Sequence, residues 1–595
     1  MLARWGWVVT TVAVPLLILF APSMGLSLTS QQNIELIILL SLVVSGLNLC
    51  YGFAGELALG QVAIYALGAY VAGYIAISVT QNILAGVAIA AVTGPVLGLI
   101  TGIPALRLGG WALGMVSFFL VLTIPDVVAI LGKYTGGAAG LTGIPSGTIF
   151  GHAMTSGDLY TVMVIVAALW FVVFRNIAVS RRGRALLIMR QSPVLAEAVG
   201  LPVFRSKLSA YMLAAVPAGI AGALLTYSDQ YLSPDYFSFS LAVAVLAATM
   251  LGGRASVYGA VVASIILQLG PLQAGAFQSY NYLVFGAFLI AGGVLLPNGL
   301  AEVARMISRR LGLEALWQHR VRPARLVTSE ESFSIPGKSL EIRGVSKSFG
   351  GVLALDDVTI IAQPGAVTSI IGPNGSGKTT LLNLINGFRH PDAGTVVLDD
   401  KEIQDLPPYK IAVRGVARTF QTPIVSPEVS VVDTVAVGRI GRARVGLLPT
   451  ILRLPSYRRA TRRDQELADH ALERVGLSAS AFLPGTALSL GHRRMLELAR
   501  ALASEPSVIL LDEVASGVDE ESVAELERMI RELARSGATV LLVEHNFRLV
   551  LNVSDEIFVL ANGKVIASGT PEHISSHPDV LEQYLGTPIV AEENK

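Results

Sequence analysis

The sequence predicts two unlike parts in one chain: an N-terminal polytopic all-α membrane domain of about ten helices, and a C-terminal α/β domain with a helical subdomain, built on a phosphate-binding loop. Three observations carry this. The 595 residues are 52% hydrophobic and only 15% charged, with mean hydropathy +0.61, too apolar for a soluble protein of this length. The excess is confined to the first half: between Met1 and Phe174 only seven side chains are charged, Arg4, Glu35, Glu56, Arg107, Asp126, Lys133 and Asp158, whereas beyond Arg305 the composition is that of a soluble domain. Finally, residues 372–379 read Gly-Pro-Asn-Gly-Ser-Gly-Lys-Thr, a complete phosphate-binding loop.

A helix needs about 20 apolar residues to cross the hydrocarbon core. Apolar runs near 6–26, 33–52, 57–78, 83–105, 112–132, 159–174, 208–228, 238–252, 256–271 and 280–297 meet or approach that length. The first, behind Arg4, has no clean small-residue cleavage site after it and is read as a membrane helix rather than a secretory signal. Arg175, Arg181, Arg182, Arg184, Arg190, Arg205 and Lys207 face a lone Glu197 in the longest polar loop, which makes that loop cytoplasmic. Counting crossings from it leaves the C-terminal part cytoplasmic as well. The net charge of +1 gives no reason to expect a nucleic-acid partner. A single cysteine, Cys50, excludes an intramolecular disulfide framework and any Cys-rich metal site, and is read as an apolar packing residue.

The expected boundaries are a transmembrane domain over 1–300, a linker over 301–338, a nucleotide-binding domain over 339–586 and a tail over 587–595. Val367 to Ile371 reads as a strand directly before the glycine loop, and Thr380 to Ile385 as the helix after it, which is the context the motif requires. Backbone N–H groups of Gly372, Pro373 excepted, through Asn374, Gly375, Ser376, Gly377 and the helix start at Thr379 and Thr380 would wrap the phosphates of ATP. Lys378 would reach the β and γ oxygens, and the Thr379 hydroxyl would hold Mg²⁺. Val508 to Leu511 reads as a second strand ending in Asp512 and Glu513. Asp512 is then placed to bind Mg²⁺ through water and Glu513 to polarise the attacking water. A third apolar run, Ala538 to Val543, ends at Glu544-His545; closing a strand beside the other two, His545 is read as a γ-phosphate contact.

In order along the chain, Phe349, Gly372 to Thr380, Gln421 in Thr419-Phe420-Gln421, Leu488-Ser489-Leu490-Gly491-His492, Leu510 to Glu513, Ser516-Gly517-Val518-Asp519 and His545 resemble the ATPase of ABC transporters, over about residues 339–586. The resemblance implies that Phe349 stacks on adenine and that Gln421 senses Mg²⁺ and the membrane partner. It further implies that Ser489 and Gly491 touch the γ-phosphate on an opposite subunit, with Asp519 in the same set. Leu490, His492 and Val514 depart from the usual pattern of that family.

Ala417 to Gln421, Leu542 to Asn546 and Gly563 to Pro571 are similar to the ATPase of branched-chain amino acid importers. Gly46 to Gly60, Gly140 to Pro145, Ser180 to Arg184 and Ser233 to Ser238 resemble a permease of the same system. The likeness implies a natural fusion of permease and ATPase in a bacterial-type plasma (inner) membrane. It implies a second permease–ATPase half, as separate subunits or a second copy, together with an extracytoplasmic substrate-binding protein and surrounding membrane lipid. Ala196 to Pro202 resembles the coupling segment of such permeases. The expected function is ATP-driven uptake of branched-chain or other hydrophobic amino acids by alternating access. Urea, short amides or aromatic carboxylates are the alternative cargo, and an ATP-regulated, non-pumping membrane protein the alternative class.

Overall fold

The structure, a computed structural model, describes residues 27–109, 111–269, 286–287, 290, 299–310, 335–443, 445–517, 520–578 and 580. Two compact units divide the chain. The first comprises Met1–Arg190, Phe204–Arg325 and Thr450–Leu452, and the second Gln191–Val203, Leu326–Pro449 and Arg453–Lys595.

In the first unit the apolar runs form helices α1 (Leu28–Leu47), α2 (Gln61–Ser78), α3 (Ile83–Leu108), α4 (Ala112–Leu122), α5 (Ile124–Ile130) and α6 (Ser156–Ala178), and the basic loop after them forms α7 (Arg181–Gln191). After the short α8 (Pro193–Ala198) of the second unit come α9 (Val203–Asp229), α10 (Phe239–Gly252) and α11 (Gly259–Leu269). Among the described residues five helices are long and apolar enough to cross a membrane: α1 with its extension to Phe53, α2, α3, α6 and α9. A sixth span forms if α4 and α5, bent by 48°, count as one. The expected ten are not reached there. The run at 238–252 gives the shorter α10, which ends at Gly252 before Gly253 at φ +100°, and in the run at 256–271 α11 opens at Gly259 and is described as far as Leu269. The runs at 6–26 and 280–297 lie outside the described residues, wholly or nearly so.

Small residues let these helices touch backbone to backbone, the contact available where lipid gives no hydrophobic drive for association. A Cβ on Gly68 would lie 2.3 Å from Gly219 O, and one on Gly222 would lie 2.1 Å from Tyr65 O. Polar side chains bond between helices: Trp170 Nε1 donates to Ser45 Oγ at 2.7 Å, and Thr226 Oγ1 to Ala69 O at 2.8 Å. Beyond α1 the chain widens into a π turn, Asn48–Phe53, that buries Cys50. The Asn48 amide bonds Ser256 O and Ala255 N there. Glu56 just after it pairs with Lys207 at 2.5 Å.

The second unit holds two sheets. Strands β1 (Leu340–Phe349), β2 (Val352–Ala362), β4 (Ala393–Leu398) and β5 (Lys401–Glu402) form an antiparallel sheet in the order β2-β1-β4-β5. The larger sheet has the order β10-β9-β3-β8-β7-β6, with β3 (Val367–Ile371), β6 (Val416–Arg418), β7 (Val508–Asp512), β8 (Thr539–Val543), β9 (Glu556–Ala561) and β10 (Lys564–Gly569). From β9 to β6 every pairing is parallel, and only β10 runs against its neighbour. The parallel strands read as unbroken apolar runs because both faces are covered. Val540 and Leu542 enter the core on one face and Leu541 and Val543 the core on the other, as a two-residue period demands. Helix α12 (Lys378–Ile385) follows β3, and α13 (Pro408–Val413) precedes β6. Helices α14 (Val431–Val437), α15 (Pro455–Arg474) and α16 (Leu490–Ala503) pack mutually as the expected helical subdomain.

Candidate nucleotide site

The strand order brings three loops to one end of the sheet. β3, β8 and β7 are adjacent and parallel, so the segments leaving their C-terminal ends, 372–378, 544–545 and 512–513, converge. Ligands in open α/β sheets bind at that end.

The loop after β3 needs its glycines. Gly375 and Gly377 have φ of +85° and +106°, and a Cβ on Gly377 would lie 2.5 Å from Ala354 O. A Cβ on Gly372 would lie 2.0 Å from Leu560 O. Pro373, Asn374 and Gly375 are exposed, Ser376 is buried, and Gly377 caps α12, whose first turn carries Thr379 and Thr380. The buried Lys378 ammonium donates to Gly372 O at 2.8 Å and Pro373 O at 2.9 Å. Burial lowers its pKa, while Glu513 and Asp512 pull the other way, so both carboxylates act on this ammonium.

Asp512 ends β7 in a buried ion pair with Arg418, Nη2 to Oδ2 2.8 Å. Its backbone N–H donates to Thr419 Oγ1 at 3.2 Å. Glu513 follows in the left-handed region, at φ +46°, with its N–H on Val543 O. A non-glycine residue there is held by its surroundings at a cost of order 1–3 kcal/mol, a kind of strain that clusters at functional sites. The carboxylate lies between two partners: Gln421 Nε2 donates to Oε2, and His545 Nε2 lies against Oε1, each at 2.5 Å. His545 is itself placed by Glu544, which is buried and accepts from Ala515 N at 2.7 Å and His545 N at 3.0 Å. Burial pushes the Glu544 carboxyl up, and backbone N–H groups of Ala515, His545 and Asn546 oppose the rise.

Glu513, Gln421, His545, Asp512 and Lys378 are thus brought together. Phe349 ends β1 with its ring exposed, and Lys347 Nζ and the Arg389 guanidinium lie 5.7 Å and 6.0 Å from the ring centroid. Ser489 and Gly491 lie at the opening of α16, where Ser489 Oγ accepts from His492 N, so His492 enters the cap through its backbone. Asp519 lies outside the described residues.

Arg418, Asn383 and Glu544 were given no role from sequence. Arg418 carries a signal that could have found it: a charged residue inside the three-residue buried strand Val-Ala-Arg must have a buried partner. In the second unit α8 rests on α13, and Gly200 approaches Gly441 so closely that a Cβ would lie 2.9 Å from its Cα. Its φ of +88° is a second reason for glycine.

Residues 32–292 match the family described as the branched-chain amino acid transport system permease component, and residues 355–516 match the ABC transporter family. The chain is 39% identical over 248 residues to LivG of Escherichia coli (strain K12), a high-affinity branched-chain amino acid transport ATP-binding protein. The match covers 42% of this chain and 97% of LivG. It is 40% identical to BraF of Pseudomonas aeruginosa, with the same coverage. A solved nucleotide-free ATP-binding cassette from an ABC transporter is 34% identical, covering 42% of this chain and 100% of that one, with a TM-score of 0.38. A related cassette, 33% identical with a TM-score of 0.38, covers 42% of this chain and 99% of that one and was solved in its ADP conformation. An ATP-hydrolysing cassette therefore sits on the same polypeptide as a membrane permease, and the chain belongs to the branched-chain amino acid ABC transporter family as a fusion of permease and ATPase.

Proposed function

We propose that the chain is one half of an importer that takes up branched-chain or other hydrophobic amino acids by alternating access. The observation that carries the catalytic part is the Glu513 carboxylate, held between Gln421 and His545 at a strained position beside Lys378. The descriptions of the matching permease family and of LivG and BraF support the cargo.

Lys378 and the backbone of Gly372 to Thr380 bind the β- and γ-phosphates of ATP, and Phe349 stacks on adenine. Glu513 takes a proton from water as its oxygen bonds the γ-phosphorus and the bridging oxygen leaves with ADP. His545 and Gln421 orient that carboxylate, and His545 also faces the γ-phosphate. Ser489 and Gly491, with Asp519, complete the site of an opposing ATPase. The Thr379 hydroxyl, Asp512 and Gln421 are hard oxygen donors near a phosphate cradle and suit Mg²⁺, which would neutralise charge on the phosphates.

Closure of two such ATPases swings the membrane helices through the coupling segment Ala196 to Pro202, changing the side to which the path opens. The second half is a separate permease and ATPase or another copy of this chain. Cargo arrives on an extracytoplasmic binding protein. The membrane is the bacterial-type inner membrane, with the ATPase cytoplasmic. The functional borders follow the expected 1–300, 301–338, 339–586 and 587–595.

The assembled transporter in lipid vesicles tests this. Glu513→Gln should keep ATP binding and lower hydrolysis about 10²- to 10⁴-fold, and uptake should vanish with it. Full turnover in that variant overturns the catalytic assignment. Accumulation that needs neither ATP nor the binding protein overturns the importer.

A further inference from the structure

Strand β6 reads Val416-Ala417-Arg418, with all three residues buried. A buried guanidinium is tolerated only with partners that replace its water. Arg418 has two, on different elements: Nη2 donates to Asp512 Oδ2 and Nη1 to Asn383 Oδ1, both at 2.8 Å. Asn383 belongs to α12, the helix that opens on the phosphate-binding loop, and Asp512 ends β7. The guanidinium also lies 5.3 Å from the Phe420 ring centroid. The next residues continue the pattern, Thr419 meeting the Asp512 backbone and Gln421 the Glu513 carboxylate. Two residues of one four-residue stretch, Arg418 and Gln421, therefore hold the two carboxylates, and Thr419 between them holds the Asp512 backbone. Within the same unit Arg418 also lines a small cavity with Ala198, Val199, Val413 and Arg442.

A planar fork with donors at fixed angles suits this task, because it can set two acceptors on two elements at once. We propose that Arg418 is a positioning residue that orients the Asp512 carboxylate for the metal ion and ties it to the wall on which residues 198–199 rest. The proposal rests on the reading of Asp512 as a metal ligand. It explains why a charge is kept in a strand otherwise closed to water.

The test uses the full-length assembled transporter in lipid nanodiscs and reads equilibrium binding of a fluorescent ATP analogue, in EDTA and in a Mg²⁺ titration. Arg418→Met should weaken the apparent Mg²⁺ affinity about 10- to 100-fold while leaving binding in EDTA within about twofold, the size found when an outer partner of a metal ligand is lost. Arg418→Lys should recover part of the loss. Asn383→Ala should shift the titration the same way by less, since the bond to Asp512 remains, and it decides the matter if Arg418→Met fails to fold. An unchanged Mg²⁺ titration in folded Arg418→Met, or equal losses with and without Mg²⁺, overturns the proposal. Asp512→Asn separates this from failure of the site itself: if it too leaves the Mg²⁺ dependence intact, Asp512 is not the ligand and the underlying reading falls.

Discussion

In the membrane unit the closest contacts are Gly68 against Gly219 and Gly222 against Tyr65 and Ala69, backbone on backbone. In the nucleotide unit the corresponding places are filled by Ile370, Leu510 and Leu541, side chains wholly withdrawn from solvent between strands and helices. One chain thus uses two packing chemistries. Lipid is as apolar as leucine, so helices within it gain from close approach and from bonds such as Trp170 to Ser45, whereas burial from water supplies the drive in the other unit. Stability in one unit should depend on what is absent from a side chain, and in the other on what is present.

Three variants probe that contrast, in falling order of effect. Leu541→Ala removes part of a fully buried core and should cost about 2–5 kcal/mol, read as a lowered unfolding transition of the purified protein. A cost within the range of a surface change would break the comparison on the soluble side. Gly222→Ala adds one methyl where a Cβ would lie 2.1 Å from Tyr65 O and 2.6 Å from Ala69 N, and overpacking of this kind should cost about 1–3 kcal/mol. Thermal stability in detergent reads it, and an unchanged midpoint would break the comparison on the membrane side.

The smallest effect sharpens the electrostatic side. The Asp392 carboxylate accepts from the Lys347 ammonium and the Ser348 N–H, which hold it down at about 2 from an ordinary 3.8. A depressed folded pKa gives stability above the unfolded value and loses it as pH falls toward the folded one. The gap between wild type and Asp392→Asn should therefore be small at neutral pH and narrow further between about pH 4 and about pH 2. A gap that stays constant across that window removes Asp392 from the account.

How legible each unit was follows from the same contrast. Strands such as Thr539–Val543 were visible because an unbroken β-branched and leucine run has few other uses, and the residues at their ends followed from motif order. Arg418 was not assigned because its role is set by Asn383, 35 positions upstream, and Asp512, 94 positions downstream. The left-handed backbone at Glu513 has no local sign either, since glutamate adopts it only under constraint from the fold. In the membrane unit hydropathy located the spans but not their breaks. The bend at Thr123 between α4 and α5, where Pro125 opens α5, and the end of α10 at Gly252 are single-residue features that an average over a window removes.

The π turn at Asn48–Phe53 acts as a phase shifter. An α-helix advances about 100° per residue, and a π turn absorbs one residue without adding to the count of α turns. Gly52, inside the turn, is therefore displaced from where an uninterrupted α1 would place it, and Gly55 leaves the helix in the left-handed region, at φ +80°. Gly55 then lies against the Arg190 side chain, where a Cβ would lie 2.7 Å from Cγ, and Gly52 O accepts from the same arginine. A chain one residue shorter in this turn would show Arg190 a different face, so the spacing between Ser45 and Glu56 is as much a part of the fit as the residues themselves.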